Sequence, residues 1–402
     1  MDRSSGLAER TRYTDKIRPF VGNANAKIVT GIRRCGKSSV MKIFSESLRD
    51  DNIIYINMEL AENYDLKDWK ALLGSVDSSI VEGKRNALFI DEVQNISGWE
   101  LAIRDLIARN VCDVYITGSN SDLLSSEYST HLGGRFNEIG MLPLSYSECV
   151  EFRNIYGGDG EVFDRFVRIG GFPILWRNPA DVQSSMQTVR DIVDVSISND
   201  IELRYGIKNK LLLRDLLRCT VSMIGNYVSA NNIYKTLRSS GIRTSTDTVY
   251  EYLGFLESAN ILIRANVFDI KGRKVLSSKY KYYVTDLGIK HALIGYRPED
   301  TPGHMENMIF TELLGRGYEV YVGDSEGKET DFVAERNGER IYIQVCQAIQ
   351  SEETMRREFG NLESIRDSFP KYVVMMEPGV YEGVTDKGIV CCGLKEFLSD
   401  DI

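Results

Sequence analysis

Several features that would mark a secreted, membrane-spanning or disulfide-stapled protein are missing from this sequence of 402 residues. The opening stretch has no apolar core of the kind that a secretory signal needs, and no run approaches the ~18 apolar residues of a membrane span. The seven cysteines lack paired metal-type spacing, and only Cys391 and Cys392 are adjacent. We therefore expect reduced thiols, no membrane partner and a cytoplasmic location.

The charge balance excludes a dedicated nucleic-acid coat. The chain has 49 basic against 58 acidic side chains, a formal net charge of -9, whereas such coats are basic. Any contact with nucleic acid must therefore use a local basic patch. The apolar share of 43% and the absence of repeats and low-complexity tracts indicate ordinary globular domains.

Short β-like runs alternate with helical stretches between residues 26 and 145, which predicts an α/β domain with a parallel sheet at residues 1–150. Residues 151–210 are mainly helical in pattern and are predicted to form a helical lid or linker. Three short helical patterns and a β-hairpin then predict a winged-helix domain at residues 211–295. A helix and several strands predict a separate α/β domain at residues 300–402.

A phosphate-binding loop is predicted at residues 31–38, which read G-x-x-x-x-G-K-S between a strand and a helix. Gly31 and Gly36 let the backbone curl so that its N–H groups face phosphate oxygens. Lys37 would reach the β- and γ-phosphates of ATP, and the hydroxyl of Ser38 would ligate Mg²⁺. The candidate nucleotide-binding residues are Gly31, Ile32, Arg33, Arg34, Cys35, Gly36, Lys37, Ser38 and Ser39. Cys35 is either an oxidant-sensitive thiol at a helix N-terminus or a tolerated filler.

Two carboxylates end the apolar strand at residues 87–92. Asp91 would hold Mg²⁺ through water, and Glu92 would polarise the water that attacks the γ-phosphate. The next strand ends in Thr-Gly-Ser-Asn at residues 117–120, where Asn120, or Ser119 in its place, would position that water. The alternative is that these polar residues only cap the following helix.

These three motifs together resemble the AAA+ ATPases. The later runs Leu-Leu-Ser-Ser-Glu at 123–127 and Leu-Gly-Gly-Arg-Phe at 132–136 narrow the resemblance. They look like a prokaryotic family of ATP-binding proteins that join an AAA domain to a C-terminal domain of unknown function. The resemblance implies that Arg135 is an arginine finger on the γ-phosphate, with a plain surface arginine as the alternative and Arg104 as the rival candidate.

The hairpin of the predicted winged helix is basic. Its cations, the candidate DNA-binding residues, are Lys271, Arg273, Lys274, Lys279 and Lys281. Three tyrosines interleave with them, so the hairpin would grip a DNA backbone without sequence preference. The alternative is a solvated hairpin with inward-facing tyrosines. The preceding helix carries Asp247 and Glu251 at exposed positions and is poorly suited to reading bases.

The C-terminal region resembles the PD-(D/E)xK nucleases, which use an acid and an E/Q-x-K strand to bind metal and activate water. Glu306, Asp331 and Gln344 match that pattern in order, but Cys346 stands at the lysine position. We therefore expect a degenerate domain without nuclease activity. Lys328 is a candidate replacement for the missing cation.

The sequence thus predicts a magnesium-dependent ATPase that couples ATP turnover to DNA binding or processing. The alternative is an ATP-driven signalling switch with an inactive nuclease-like domain, whose output is protein–protein interaction. Its expected partners are another protein or, in a homo-oligomer, further copies of this chain. ADP would be the product of either activity.

Overall fold

The structure is a computed structural model that describes residues 7–121, 133–349 and 352–399. The chain forms two compact units. The first comprises residues 1–143 and 258–260, and the second comprises residues 144–257 and 261–402.

The first unit is built on a five-stranded sheet in the order β2-β3-β4-β1-β5, with every neighbouring pair parallel. The strands are β1 (Ala26–Thr30), β2 (Asn52–Asn57), β3 (Asn86–Asp91), β4 (Asp113–Gly118) and β5 (Phe136–Gly140). All residues of β1, β3 and β4 are buried, which explains why these strands read as continuous apolar runs. The parallel sheet predicted from the alternating pattern is confirmed.

Helices cover this sheet and enclose its core. They are α1 (Thr11–Ile17), α2 (Lys37–Ser47), α3 (Trp69–Ser79) and α4 (Trp99–Arg109). One apolar cluster joins β1 to β4 with α3 and α4, including Leu88, Ile103 and Ile116. Because neighbouring strands are parallel, the carboxyl ends of β1, β3 and β4 lie side by side at one edge.

The second unit begins with helices, which start at Tyr146, a few residues before the helical region predicted at 151–210. They are α5 (Tyr146–Tyr156), α6 (Val162–Ile169), α7 (Pro173–Arg177), α8 (Val182–Ser196) and α9 (Leu203–Tyr205), with a π-helical stretch at Ile197–Glu202. Ser145 and Glu148 form a capping box at the start of α5. The role of this region as a lid remains a prediction.

Three helices and a β-hairpin are present where the sequence predicts them, and their assignment as a winged helix stays a prediction. The elements of this region are α10 (Lys210–Val221), β6 (Tyr227–Val228), α11 (Ala230–Ser239), α12 (Thr246–Ser258), β7 (Leu262–Asp269), β8 (Lys274–Val284) and α13 (Leu287–Ile294). The Ser245 hydroxyl accepts a hydrogen bond from the Thr248 N–H at the start of α12. Val249, Leu253 and Leu256 are buried on one face of this helix, at the spacing of an amphipathic helix.

The remaining elements are α14 (Thr301–Gly315), β9 (Glu319–Ser325), β10 (Lys328–Arg336), β11 (Glu339–Cys346), α15 (Glu352–Ser364), β12 (Lys371–Met375), β13 (Gly383–Val384), β14 (Ile389–Gly393) and α16 (Leu394–Ser399). The hairpin and the C-terminal strands belong to one nine-stranded sheet, in the order β13-β14-β12-β11-β10-β9-β7-β8-β6. The hairpin strand β7 pairs in parallel with β9, where Val267 faces Val322. The regions predicted as separate domains therefore share a sheet, and the domain boundaries themselves remain predictions.

No helix in the described part of the chain is long and apolar enough to cross a membrane.

Candidate functional site

The loop between β1 and α2 has the curled backbone that the sequence predicts. Gly31 has φ 149°, and a Cβ at this position would lie 2.1 Å from the carbonyl oxygen of Met141. Gly36 has φ 105° and directly precedes the first residue of α2. Both conformations favour glycine, so a side chain at either position would distort the loop.

Lys37 is the first residue of α2, and its side chain reaches back to the loop. Its buried ammonium donates hydrogen bonds to the carbonyl oxygens of Gly31, at 2.9 Å, and Ile32, at 3.2 Å. Cys35 is also buried, which favours the interpretation as a filler over that as an oxidant sensor. Arg33 is half-buried and lies 3.9 Å from Glu59, whereas Arg34 is exposed.

Arg10 stabilises the phosphate-binding loop through its guanidinium group. This role was not predicted from the sequence. The buried guanidinium donates to the carbonyl oxygens of Cys35 at 2.9 Å, Leu142 at 3.0 Å and Pro143 at 3.0 Å. One side chain therefore ties the phosphate-binding loop to the segment that follows β5. The only sequence signal for it was the basic character of the N-terminal segment.

Asp91 is buried at the carboxyl end of β3, and Thr117 at the end of β4 donates a short hydrogen bond to its Oδ1. The other oxygen, Oδ2, is buried and has no hydrogen-bond partner. Asp91 lines a cleft of about 440 Å³ together with Ser38, Ser39 and Tyr55. A buried carboxylate oxygen without a partner is costly, so this edge of the sheet is suited to a cation.

Ser38 and Asp91 fit a magnesium ion. Mg²⁺ binds hydroxyl and carboxylate oxygens and keeps several of its waters, for which the cleft has room. Burial and the charge of Asp91 raise the pKa of Tyr55, which keeps the phenol neutral beside this carboxylate.

Glu92 occupies the next position with an unusual backbone. Its φ is 58°, in the left-handed region, and its N–H donates to Thr117 Oγ1 at 3.0 Å. The Gln94 side-chain amide donates a short hydrogen bond to Glu92 Oε2. The hydroxyl of Thr117 therefore contacts both acidic residues, and neither Thr117 nor Gln94 was identified as a site residue from the sequence.

Asn120 and Ser119, predicted to position water, are buried just beyond the end of β4. Arg135 is exposed and directly precedes β5, where its carbonyl accepts from the Ala26 N–H at 3.0 Å. This contact places Arg135 at the amino-terminal edge of the sheet, opposite the phosphate-binding loop. Arg104 is exposed on α4. The run at 123–127 lies outside the described residues.

The chain is similar to known proteins over most of its length. Residues 23–150 match the family described as "AAA domain", and residues 160–300 match a domain of unknown function. An uncharacterized protein of Haemophilus influenzae is 31% identical over 380 residues, which cover 92% of this chain and 94% of the relative. The chain belongs to the family of this protein.

Two further proteins are similar to this chain. An uncharacterized protein of Methanocaldococcus jannaschii is 27% identical over 358 residues, which cover 85% of this chain and 79% of that protein. The solved structure of a Walker-type ATPase of Pyrococcus abyssi has a TM-score of 0.52 at 16% identity, and the match covers 71% of this chain and 96% of that one. This likeness shows the fold alone. The AAA domain and its P-loop ATPase fold support ATP binding and hydrolysis by this chain.

The basic hairpin lies outside the AAA domain. The prediction that its five cations bind DNA is wrong for one of them, Lys281. Lys271, Arg273, Lys274 and Lys279 are exposed, and Lys271 forms an ion pair with Glu326. Lys281 is instead buried between carboxylates, so it is not available to DNA. Tyr280, Tyr282 and Tyr283 are also buried, as the alternative interpretation expected.

Asp331 and Gln344 of the nuclease-like pattern are buried in the second unit, and Glu306 is half-buried. Asp331 Oδ2 accepts a hydrogen bond from the Val345 N–H at 2.7 Å, and Gln344 is the residue before Val345. Burial raises the pKa of Asp331 well above its usual range, and nearby Glu306 raises it further. Cys346 lies in an apolar cluster with Tyr342 and Phe359. Lys328, the candidate replacement cation, is exposed at the start of β10.

Proposed function

We propose that this chain is a magnesium-dependent ATPase whose turnover is coupled to DNA. The observation that carries the ATPase mechanism is the unpartnered, buried Oδ2 of Asp91 on the cleft that Ser38 also lines. Ser38 and Asp91 would hold the ion, which supplies positive charge to the phosphates. Lys37 would exchange its two carbonyl partners for the β- and γ-phosphate oxygens.

Glu92 is the proposed general base. Its carboxylate takes the proton of the attacking water, while Gln94 fixes one carboxylate oxygen and leaves the other for that water. The left-handed backbone of Glu92 costs about 1–3 kcal/mol, and such strain concentrates at active sites. Thr117 holds the backbone of Glu92 and the side chain of Asp91 in one geometry.

Arg135 and Asn120 are the remaining proposed catalytic residues. Arg135 lies at the edge of the sheet opposite the phosphate-binding loop, so in this proposal it acts on ATP bound by a neighbouring copy. An exposed guanidinium at a subunit interface would stabilise the charge of the transition state. This step requires a homo-oligomer.

The coupling to DNA rests on the four exposed hairpin cations. Their positions near the end of a β-hairpin suit contacts with phosphates, and none of them is needed inside the fold. The proposed contact is therefore with the backbone and is independent of sequence. The test is an ATPase assay with duplex DNA, in which DNA is expected to stimulate turnover.

A double variant, Arg273→Ser with Lys274→Ser, is expected to weaken DNA binding. Each lost phosphate contact reduces the slope of log K against log salt by about 0.9 for duplex DNA. Arg177→Ser with Lys208→Ser is a matched control, because it removes the same charge from exposed positions elsewhere in the second unit. Fluorescence anisotropy across a salt series measures both slopes. Equal slopes for the two double variants would contradict the proposed hairpin contact.

A protein-binding switch is the second candidate function. It is favoured by the burial of the hairpin tyrosines and of Lys281, since DNA-stacking platforms expose their aromatic rings. Wild-type protein that does not bind duplex DNA at low salt would favour this candidate.

A further inference from the structure

The second unit contains an ammonium group enclosed by carboxylates. Lys281 on β8 is 2% exposed, and its Nζ lies 2.7 Å from Glu329 Oε1 and 3.3 Å from Glu306 Oε2. The Tyr283 hydroxyl, two residues along the same strand, donates to Glu306 Oε2 at 2.9 Å. One hairpin strand therefore provides both a cation and a hydrogen-bond donor to this cluster.

The carboxylates come from two further elements. Glu306 lies on α14, whereas Glu329 and Asp331 lie on β10. Asp331 is 6% exposed and is fixed by the Val345 N–H. Gln344 precedes Val345 on the neighbouring strand, and its side-chain oxygen is buried without a hydrogen-bond partner. The set of acids and an amide oxygen is one that a metal-dependent nuclease would offer to an ion.

The arrangement does not fit a metal ion. The described part of the chain contains no group of three or more His, Cys, Asp or Glu side chains placed to hold one. The ammonium of Lys281 already lies within hydrogen-bond distance of Glu329 and contacts Glu306, so it supplies the positive charge that these acids need. Burial lowers the pKa of Lys281, but Glu306 and Glu329 outweigh this and leave it raised, so the group stays charged.

Access to the cluster is also restricted. Lys281 and Asp331 are buried, and the side chain of Glu306 is 15% exposed. Glu329 is the exposed member of the cluster, with 35% of its side chain accessible, so a phosphodiester backbone can reach this carboxylate but not Lys281 or Asp331. The same burial makes an uncompensated carboxylate costly, so the acids require an internal partner.

We propose that Lys281 takes the place of a divalent cation in a closed, metal-independent centre that joins the hairpin to α14 and β10. The acids of the centre are neutralised from within the fold. Its contribution is to hold the hairpin strand in the nine-stranded sheet, and it does not depend on the ATPase proposal.

The test is to remove the ammonium and titrate with MnCl₂. Lys281→Met keeps the length of the side chain and removes its charge. Calorimetric titration of the nucleotide-free full chain is expected to show a Mn²⁺ site in Lys281→Met that binds at least tenfold more tightly than any site in wild type. Lys281→Arg keeps the charge and is expected to behave as wild type. Adding Asp331→Asn to Lys281→Met is expected to abolish the new site.

Each other outcome is also decisive. If Lys281→Met is unstable, Mn²⁺ should raise its melting temperature more than that of wild type, and equal shifts would overturn the proposal. A folded Lys281→Met variant without a new Mn²⁺ site would overturn it as well. The proposal would also be overturned if wild-type protein bound Mn²⁺ or cleaved DNA and the Asp331→Asn substitution removed that activity.

Discussion

The buried carboxylates of the two units have different partners. At the edge of the parallel sheet, Asp91 receives one hydrogen bond from Thr117 and keeps its second oxygen free beside a cleft. In the nine-stranded sheet, the acids around Asp331 are enclosed with the ammonium of Lys281. The first arrangement leaves room for an external cation, and the second already contains one.

If both proposals hold, the residue types of a site do not by themselves decide its chemistry. Both sites offer acids at the ends or edges of buried strands, and both resemble metal-binding patterns in the sequence. What separates them is whether a basic side chain from another part of the fold reaches the acids. Burying a charge without a partner costs several kcal/mol, so a buried carboxylate needs a cation, hydrogen-bond donors or a proton of its own.

The largest expected effect is on hydrolysis at the open site. Glu92→Gln keeps the shape of the side chain but removes the base, so turnover is expected to fall by about 10²- to 10⁴-fold while ATP still binds. Glu82→Gln, at an exposed position of the same unit, is the control. Steady-state phosphate release and equilibrium nucleotide binding measure the two quantities. Equal turnover by Glu92→Gln and wild type would remove Glu92 from the mechanism.

Lys37→Ala tests the same site through binding. The variant loses a charge-assisted contact worth about 1.5–3 kcal/mol, so the Kd for ATP is expected to rise about 10- to 100-fold. Lys84→Ala is a suitable control, because Lys84 is exposed and lies outside the loop. Isothermal titration calorimetry gives both constants. An unchanged Kd would show that Lys37 does not contact the phosphates.

A smaller effect is expected at Thr117, the residue that contacts both acids. Thr117→Val keeps the shape but removes the hydroxyl, which leaves a second Asp91 oxygen without a partner and costs about 1–3 kcal/mol. We expect kcat to fall by about tenfold and more Mg²⁺ to be needed for half-maximal rate. Thr117→Ser should restore both values. A Mg²⁺ requirement identical to that of wild type would exclude Thr117 as a positioning residue.

The smallest expected effect is the ATPase activity recovered when two inactive variants are mixed into one oligomer. Arg135→Ala and Glu92→Gln subunits are each expected to be inactive alone, because one lacks the finger and the other lacks the base. Mixing them should recover a minor fraction of the wild-type rate at interfaces that combine an intact Glu92 with an intact Arg135. Specific activity that is independent of protein concentration, with no recovery on mixing, would argue that Arg135 does not act between subunits.

The sequence predicted the parallel sheet and the phosphate-binding loop because both depend on local patterns. Fully buried strands read as apolar runs, and the glycines of the loop have backbone angles that other residues avoid. The contacts of Arg10, Thr117 and Gln94 were not predicted. These contacts depend on the order of the strands in the sheet or on the conformation of a turn. The spacing of residues in the sequence predicts neither the strand order nor the turn.

Lys281 shows why the prediction of DNA-binding residues in the hairpin failed at one residue. Lys279 and Lys281 are two positions apart in β8, and regular alternation would give them the same environment. The pairing of β7 with β8 is irregular between Asn266 and Val267, which separates the segment near the hairpin end from the one containing Lys281. Lys281 pairs with Ala265 and Tyr227 inside the sheet, next to Glu306 of α14. The sequence alone does not reveal this irregularity.

The contrast between the open and the closed site is tested most directly by counting bound Mn²⁺ in the presence of a non-hydrolysable ATP analogue. Electron paramagnetic resonance of the wild-type chain is expected to detect a single ion per subunit, weakened by Asp91→Asn and unaffected by Asp331→Asn. A second ion in wild type that Asp331→Asn removes would contradict the closed centre. If Asp91→Asn changed neither the number of bound Mn²⁺ ions nor their affinity, the assignment of the open metal site at Asp91 would be contradicted.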